Sequence, residues 1–249
     1  MDTQDWSSSY TRHFDLLRAD TPELLDEAYR LRYQVYCIEH PFENPAEHPG
    51  GRETDIDDDR SVHALLRHRR TGAFAGTVRV ILPSCGQSPR ILPMQRVLRS
   101  QKPSLVECFP QATTAEISRF LVSKEFRRRR GEELYADVGA RTYGEPIPGE
   151  RRVAPYITFG LMRGVVEICA EYGMTHICAV MDPALIRILH RFGVDFEAVG
   201  DLVDHHGRRQ PCLARLTELI RRSRGDDTLL WQYTAQTLNG QNCVAAIAA

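Results

Sequence analysis

The stretch Ala115-Glu116-Ile117-Ser118-Arg119-Phe120-Leu121-Val122 sets an acid and an arginine three residues apart in a run otherwise dominated by Ile, Phe, Leu and Val. Such a run reads as a β-strand. An unpaired charge buried in a sheet costs several kcal/mol, so Glu116 and Arg119 each require a partner. The chain must therefore bring further charged groups to its central strand.

Three upstream fragments could supply them. The first is Arg32-Tyr33-Gln34-Val35-Tyr36, with Phe42 six residues further on. The second is Glu53-Thr54-Asp55-Ile56-Asp57-Asp58, an acidic E-x-D-x-x-D. The third is Gly76-Thr77-Val78-Arg79, which runs on through Val80, Ile81 and Leu82 to Pro83.

Local signals predict the elements around these fragments. Thr21-Pro22-Glu23 combines an N-cap, a first-turn proline and an acid near the positive helix end. Leu24, Leu25, Ala28, Leu31, Val35 and Ile38 then recur at helical spacing, and Pro41 stops the helix. Residues 43–60 read as a loop. Segments 62–68 and 73–82 flank Thr71-Gly72 and predict a β-hairpin. A short helix is expected over 90–100, the central strand over 115–122 and a long helix over 156–172 ending at Gly173. A strand over 175–181, a helix capped by Asp182-Pro183 and closed by Gly193, and a hairpin across His205-His206-Gly207 follow. The order predicts an α/β (α+β) domain, a mixed and mostly antiparallel sheet with helices on both faces. The domain is expected over 14–220, after a disordered 1–13 and before a linker, short helix and flexible tail over 221–249.

Composition narrows the function classes. Hydrophobic residues make up 42% and charged residues 26%, as in an ordinary soluble globular protein. A formal net charge of −1 offers no global attraction to nucleic acid or an anionic membrane. The opening Met-Asp-Thr-Gln-Asp-Trp-Ser has neither a basic nor an apolar signal region, and no apolar run approaches ~20 residues, so no integral membrane segment is expected. Seven scattered cysteines with no C-x-x-C pair suit reduced, buried thiols in a cytoplasm.

Taken in order, the four charged fragments resemble those of the acyl-homoserine-lactone synthases and N-acyl amino acid synthases. Over 24–220 the likeness extends to the PEP-CTERM/exosortase system-associated acyltransferases. The resemblance implies the GNAT-like acyl-CoA N-acyltransferase fold, with no bound cofactor or metal. It implies acyl-ACP or acyl-CoA as co-substrate, acyl carrier protein as partner and a small amine as acceptor.

Acyl transfer to an amine needs a proton acceptor, a polarised thioester and alignment of the two substrates, but no nucleophilic side chain. Glu116 is the candidate base, or else a structural partner of Arg79 or Arg119. Arg32, Arg79 and Arg119 could meet Glu53, Asp55 and Asp58 in one network, serving acceptor binding and catalysis as the resemblance implies, or acting only as scaffold. Tyr36, Phe42 and Ser118 complete the acceptor region. Tyr36 and Phe42 stand where the lactone synthases most often have Phe and Trp, which counts against a lactone-forming acceptor.

Arg127, Arg128, Arg129, Arg130 and Gly131 fall where the resemblance places a pyrophosphate loop. Glu133 occupies a position there that favours a small residue, so the run better suits an acidic carrier protein, with Arg151 and Arg152 as helpers. It could equally be a solvated charged face. Cys37 lies near the acceptor fragment without an evident base, and His190 is a substitute in the 182–192 segment where the resemblance implies a general-acid tyrosine. Two other functions compete: a lactone synthase using S-adenosylmethionine, and a non-catalytic acyl-thioester or polyanion-binding module.

Overall fold

The computed structural model describes residues 12–84, 90–101, 103–106, 109–126, 154–191, 194–205 and 207–222. In chain order the elements are β1 (Phe14–Arg18), α1 (Pro22–Tyr33), a π-helix (Gln34–Glu39), β2 (Ser61–His68), β3 (Phe74–Ile81), α2 (Pro93–Gln101), α3 (Pro103–Val106), β4 (Thr114–Val122), α4 (Ala154–Glu171), β5 (His176–Met181), α5 (Pro183–Arg191), β6 (Glu197–Ala198), β7 (Val203–Asp204), β8 (Arg208–Arg215) and α6 (Leu216–Arg222). Short 3₁₀ turns occupy Pro45–Glu47, Asp58–Arg60, Gln111–Thr113 and Lys124–Phe126. The strand order is β1-β2-β3-β4-β5-β8-β6, with β7 also pairing with β8.

The chain divides into two compact units, the first within Met1–Ile56, His63–Arg79 and Arg119–Gly164, the second within Asp57–Val62, Val80–Ser118 and Val165–Ala249. In the first unit, β1 pairs antiparallel with β2 from Phe14↔His68 to Arg18↔Ala64. The Thr21 hydroxyl accepts from the Leu24 N–H at 3.3 Å, the expected N-cap of α1. Successive β2 residues face opposite sides of the sheet. Leu65 packs with Ala19 and Ala28 on the α1 side. Its neighbour Ala64 lies so close to α4 that a Cβ on Gly164 would sit 2.9 Å from the Ala64 Cβ. Helices therefore cover both faces here. The β2–β3 turn is the expected one: His68 N–H donates to the Ala73 carbonyl at 2.8 Å, and Gly72 has φ +71°. Gly76 of β3 has no alternative, because a Cβ there would meet the Leu121 carbonyl oxygen of β4 at 2.6 Å.

In the second unit, β5 runs parallel to β4, pairing Thr114↔His176 through Glu116↔Cys178, and antiparallel to β8. Ile81, Leu92, Met94, Leu98, Val106, Phe109 and Cys178 form its apolar core. Asp182 caps α5 as expected, its carboxylate accepting from the Ala184 N–H at 2.7 Å. Gly173, at φ +66°, ends α4.

Four sequence expectations need correcting. Strand β1 lies where no element was expected, because Phe-Asp-Leu-Leu-Arg lacks full alternation and is ordered by its pairing with β2. The first helix does not stay α-helical to Pro41 but widens into the π-helix after Tyr33. The 43–60 loop contains 3₁₀ turns at Pro45–Glu47 and Asp58–Arg60. Helix α6 carries the chain to Arg222, so the segment from 221 does not begin as a linker. The rest of the expected tail, Gly193 and His206 lie outside the described residues. Among the described residues no helix is long and apolar enough to cross a membrane.

Candidate functional site

The first unit gathers Arg32, Glu53, Asp55, Arg79 and Arg119 of the charged residues that the sequence singled out. Arg32, in the last turn of α1, is fully buried, with its guanidinium 5.3 Å from the centre of the Tyr29 ring. Its Nε donates to Glu53 Oε2 at 2.6 Å. Arg119 of β4 reaches the same carboxylate with Nε at 3.1 Å and Nη2 at 2.8 Å. Arg119 Nη2 also approaches Asp55 Oδ2 at 3.2 Å and Glu43 Oε1 at 3.4 Å. Arg79 of β3 closes the cluster through Nη1 to Asp55 Oδ1 at 2.6 Å. Glu53 is itself anchored, its N–H donating to the Tyr29 carbonyl at 3.1 Å.

The electrostatics follow from this packing. Burial drives the Glu53 carboxyl toward its neutral form, but the hydrogen bonds and charges of Arg119 and Arg32 outweigh it and hold the pKa down to about 2. Burial likewise opposes the Arg119 charge, and Glu53, Tyr36 and Asp55 reverse that, raising its basicity. Exposure is graded across the cluster. The side chains of Arg32, Glu53 and Arg79 are 0%, 1% and 2% exposed, whereas Arg119, Glu43 and Asp55 show 18%, 26% and 29% to water.

Arg119 also departs from ordinary strand geometry, with φ +48° in the left-handed region. A non-glycine residue there costs roughly 1–3 kcal/mol and persists only where its surroundings over-determine it. Three carboxylates supply that constraint.

The π-helix places aromatic side chains beside these charges. The Arg119 guanidinium lies 5.2 Å from the Tyr36 ring centre, and Phe42 packs 6.2 Å from Tyr36. His40 stacks on Phe42 at 5.7 Å with only 15° between the planes. The backbone follows suit, Phe42 N–H donating to the Tyr36 carbonyl at 2.9 Å. Burial, then the charges of Glu53 and Glu43, push the Cys37 thiol up to about 11, so its thiolate is scarce at neutral pH. An acyl-cysteine step is thereby disfavoured. A pocket of about 540 Å³ is walled by Leu25, Tyr29, His48, Arg52 and Thr54 among others, and none of the candidate site residues lines it.

Glu116 belongs to the second unit. It is 3% exposed, and its Oε2 accepts from the Met94 N–H at 2.8 Å, at the first turn of α2. A carboxylate on a helix N-terminal N–H is a favourable placement for negative charge. Ser118, half-buried, ends this part of β4. Asp58 opens the Asp58–Arg60 turn in the second unit, and the deeply buried acid of the run is its neighbour Asp57, 2% exposed. Asp57 Oδ1 accepts from Arg60 Nη2 at 2.6 Å, and Oδ2 from Arg96 Nη2 at 3.0 Å. His190 of α5 exposes 74% of its side chain and is tied to Asp195.

Arg127, Arg128, Arg129, Arg130 and Gly131, with Arg151 and Arg152, lie outside the described residues. The sequence reading missed Glu43, Asp57 and Arg60. The acidic run flanking Arg60 was visible, but not which carboxylate turns inward.

Residues 31–136 match a family described as an acetyltransferase (GNAT) domain. No curated protein matches the sequence. Among solved structures, the fold is similar to that of TofI in a ternary complex with an inhibitor and MTA, at 20% identity and a TM-score of 0.58 over 87% of this chain and 99% of that one. It is similar to the AHL synthase LasI at 17% identity and a TM-score of 0.53, covering 82% and 90%. It is also similar to FeeM, an N-acyl amino acid synthase from uncultured soil microbes, at 15% identity and a TM-score of 0.51, covering 88% and 97%. The chain has a GNAT-like acyltransferase fold.

Proposed function

We propose that this GNAT-like chain is an N-acyltransferase that moves a fatty acyl group from an acyl carrier protein thioester, or the coenzyme A equivalent, to the amine of an amino acid or similar small acceptor. The graded exposure of the arginine–carboxylate cluster carries this reading. Its buried end, Arg32, Glu53 and Arg79, is a scaffold. Its water-facing end offers Asp55 and Glu43 to an ammonium and Arg119 to a carboxylate, the two charges of a free amino acid. Tyr36 and Phe42 give the same end an apolar wall.

In the reaction, the deprotonated amine attacks the thioester carbonyl carbon, the C–N bond forms and the C–S bond breaks. Glu116 takes the amine proton, directly or through a water, and the departing thiolate picks up a proton. The Met94 N–H fixes the direction of the Glu116 carboxylate. The donor is placed on the basic run Arg127 to Arg130. The reaction is assigned to the cytoplasm, a compartment that suits the free cysteines 37, 169, 178 and 212.

The test is mass spectrometry of lipids from cells overexpressing the chain against an empty vector, followed by purified assays with acyl carrier protein and coenzyme A thioesters. N-acyl amino acids that disappear with Glu116→Gln support the reading, since loss of a general base costs ~10²–10⁴-fold. Turnover that requires S-adenosylmethionine and yields a lactone would replace it with the synthase reading. Thioester binding without any turnover would replace it with a binding module.

A further inference from the structure

Arg60 spends its guanidinium largely on backbone. Nη1 donates to the Leu82 carbonyl at 3.3 Å and the Arg90 carbonyl at 3.0 Å, and Nη2 to the Ile91 carbonyl at 3.1 Å. Nε and Nη2 hold Asp57 Oδ1 at 3.1 and 2.6 Å. The Arg60 and Asp57 side chains are 9% and 3% exposed, so the pair is shielded from competing water. Asp57 in turn accepts from Arg96 in the first turn of α2.

These bonds converge on the lead-in to one helix. Leu82 follows the end of β3, while Arg90 and Ile91 immediately precede the start of α2. Leu92 N–H is already capped by Gln95 Oε1 at 2.8 Å. The first turn of the helix presents the Met94 N–H to Glu116. The planar fork of arginine can collect three carbonyls and a carboxylate in fixed directions, which a lysine ammonium on a flexible stem cannot reproduce.

We propose that Arg60 is a positioning residue for acyl transfer: by gathering the Leu82, Arg90 and Ile91 carbonyls against Asp57, it sets the entry of α2 so that the Met94 N–H orients the Glu116 carboxylate. This rests on the reading of Glu116 as the base. A displacement of about 1 Å at a reacting group can cost ~10²-fold in rate. Losing an N–H donor also makes a carboxylate easier to protonate.

The experiment compares Arg60→Lys, Glu116→Gln and the double variant by steady-state kinetics and by the pH dependence of kcat/KM, with thermal melting as the check on folding. Arg60→Lys is expected to lower kcat by roughly 10- to 10²-fold with the acceptor KM little changed, and to move the acidic limb upward. In the Glu116→Gln background the same change should have almost no further effect on kcat, because the two residues act as one unit. If Arg60→Lys is folded and leaves kcat and the acidic limb as in the wild type while Glu116→Gln is impaired, the Arg60 inference fails and the base assignment stands. An equal loss in both backgrounds makes Arg60 merely structural and also overturns it. Wild-type turnover in Glu116→Gln removes the base assignment and this inference with it. Should Arg60→Lys not fold, Asp57→Asn keeps an acceptor for Arg60 but removes its counter-charge, and the same three outcomes apply.

Discussion

Replacing Glu53 by Gln tests the arginine–carboxylate cluster at its most buried point. Glutamine keeps the shape and one acceptor oxygen but removes the charge that faces both Arg32 and Arg119. Arg32 has no exposure to water with which to recover. Breaking a buried pair by removing one partner typically costs about 3–5 kcal/mol. The titration gives a second measure. The carboxyl moves from an ordinary 4.5 to about 2 on folding, which at ~1.36 kcal/mol per pH unit corresponds to roughly 3 kcal/mol. The sign follows from the depression: this stability is fully present above pH ~4.5 and is lost as the pH falls toward ~2. Urea and thermal melts of wild type and Glu53→Gln should therefore differ by about 3–5 kcal/mol at pH 7, a shift on the order of 10 °C in Tm. The gap should narrow between pH 4.5 and the lowest pH at which both proteins still fold, because the wild type alone loses a charged Glu53. Equal stability at pH 7 would refute the buried pairing. A gap that stays constant down to pH 3 would refute the depressed pKa. Pairing the change with Arg32→Met should cost less than the sum of the two single losses.

Three further outcomes follow from the geometry. Gly76→Ala should destabilise by ~1–3 kcal/mol or more, since its Cβ would meet the Leu121 carbonyl at 2.6 Å; an unchanged urea midpoint would show that β3 and β4 separate more easily than described. Cys37→Ser should retain acyl transfer, and native protein should react with iodoacetamide at Cys37 far more slowly than after unfolding, because the thiol is held at about 11; loss of turnover would return Cys37 to the mechanism. Reversing two of Arg127 to Arg130 to glutamate should raise the apparent KM for acyl carrier protein, make transfer less salt-sensitive and leave a short pantetheine thioester almost unaffected; equal weakening of both donors would place the arginines inside the site.

Much of this site is legible in the sequence alone, and the reasons differ by residue. Arg32, Glu53, Asp55, Arg79 and Arg119 stand out because each interrupts or borders an apolar or patterned segment, and burial then demands that they meet. Asp57 against Asp58 was not readable. Three consecutive acids carry no periodicity, and the choice is made by the carbonyls that pull Arg60 inward. The Met94 N–H was equally hidden, because every residue but proline has one and only tertiary packing aims it. Strand β1 escaped because five residues of mixed polarity are too few to reveal alternation. The π-helix escaped because apolar spacing over Val35 and Ile38 fits an α-helix as well.

The left-handed backbone at Arg119 has a consequence for how descendants of this sequence can change. Most arginines drift to lysine, glutamine or histidine by single steps that leave the main chain indifferent. At this position nearly every such step keeps the conformational cost of φ +48° while discarding the carboxylate contacts that offset it. Glycine and asparagine tolerate that backbone, but neither supplies the charge. The arginine is thus hedged by its own geometry: abandoning it demands that Glu53, Asp55 and Glu43 be remodelled at nearly the same time. A lineage that exchanges its acceptor should vary Tyr36, Phe42 and the outer carboxylates long before it varies Arg119.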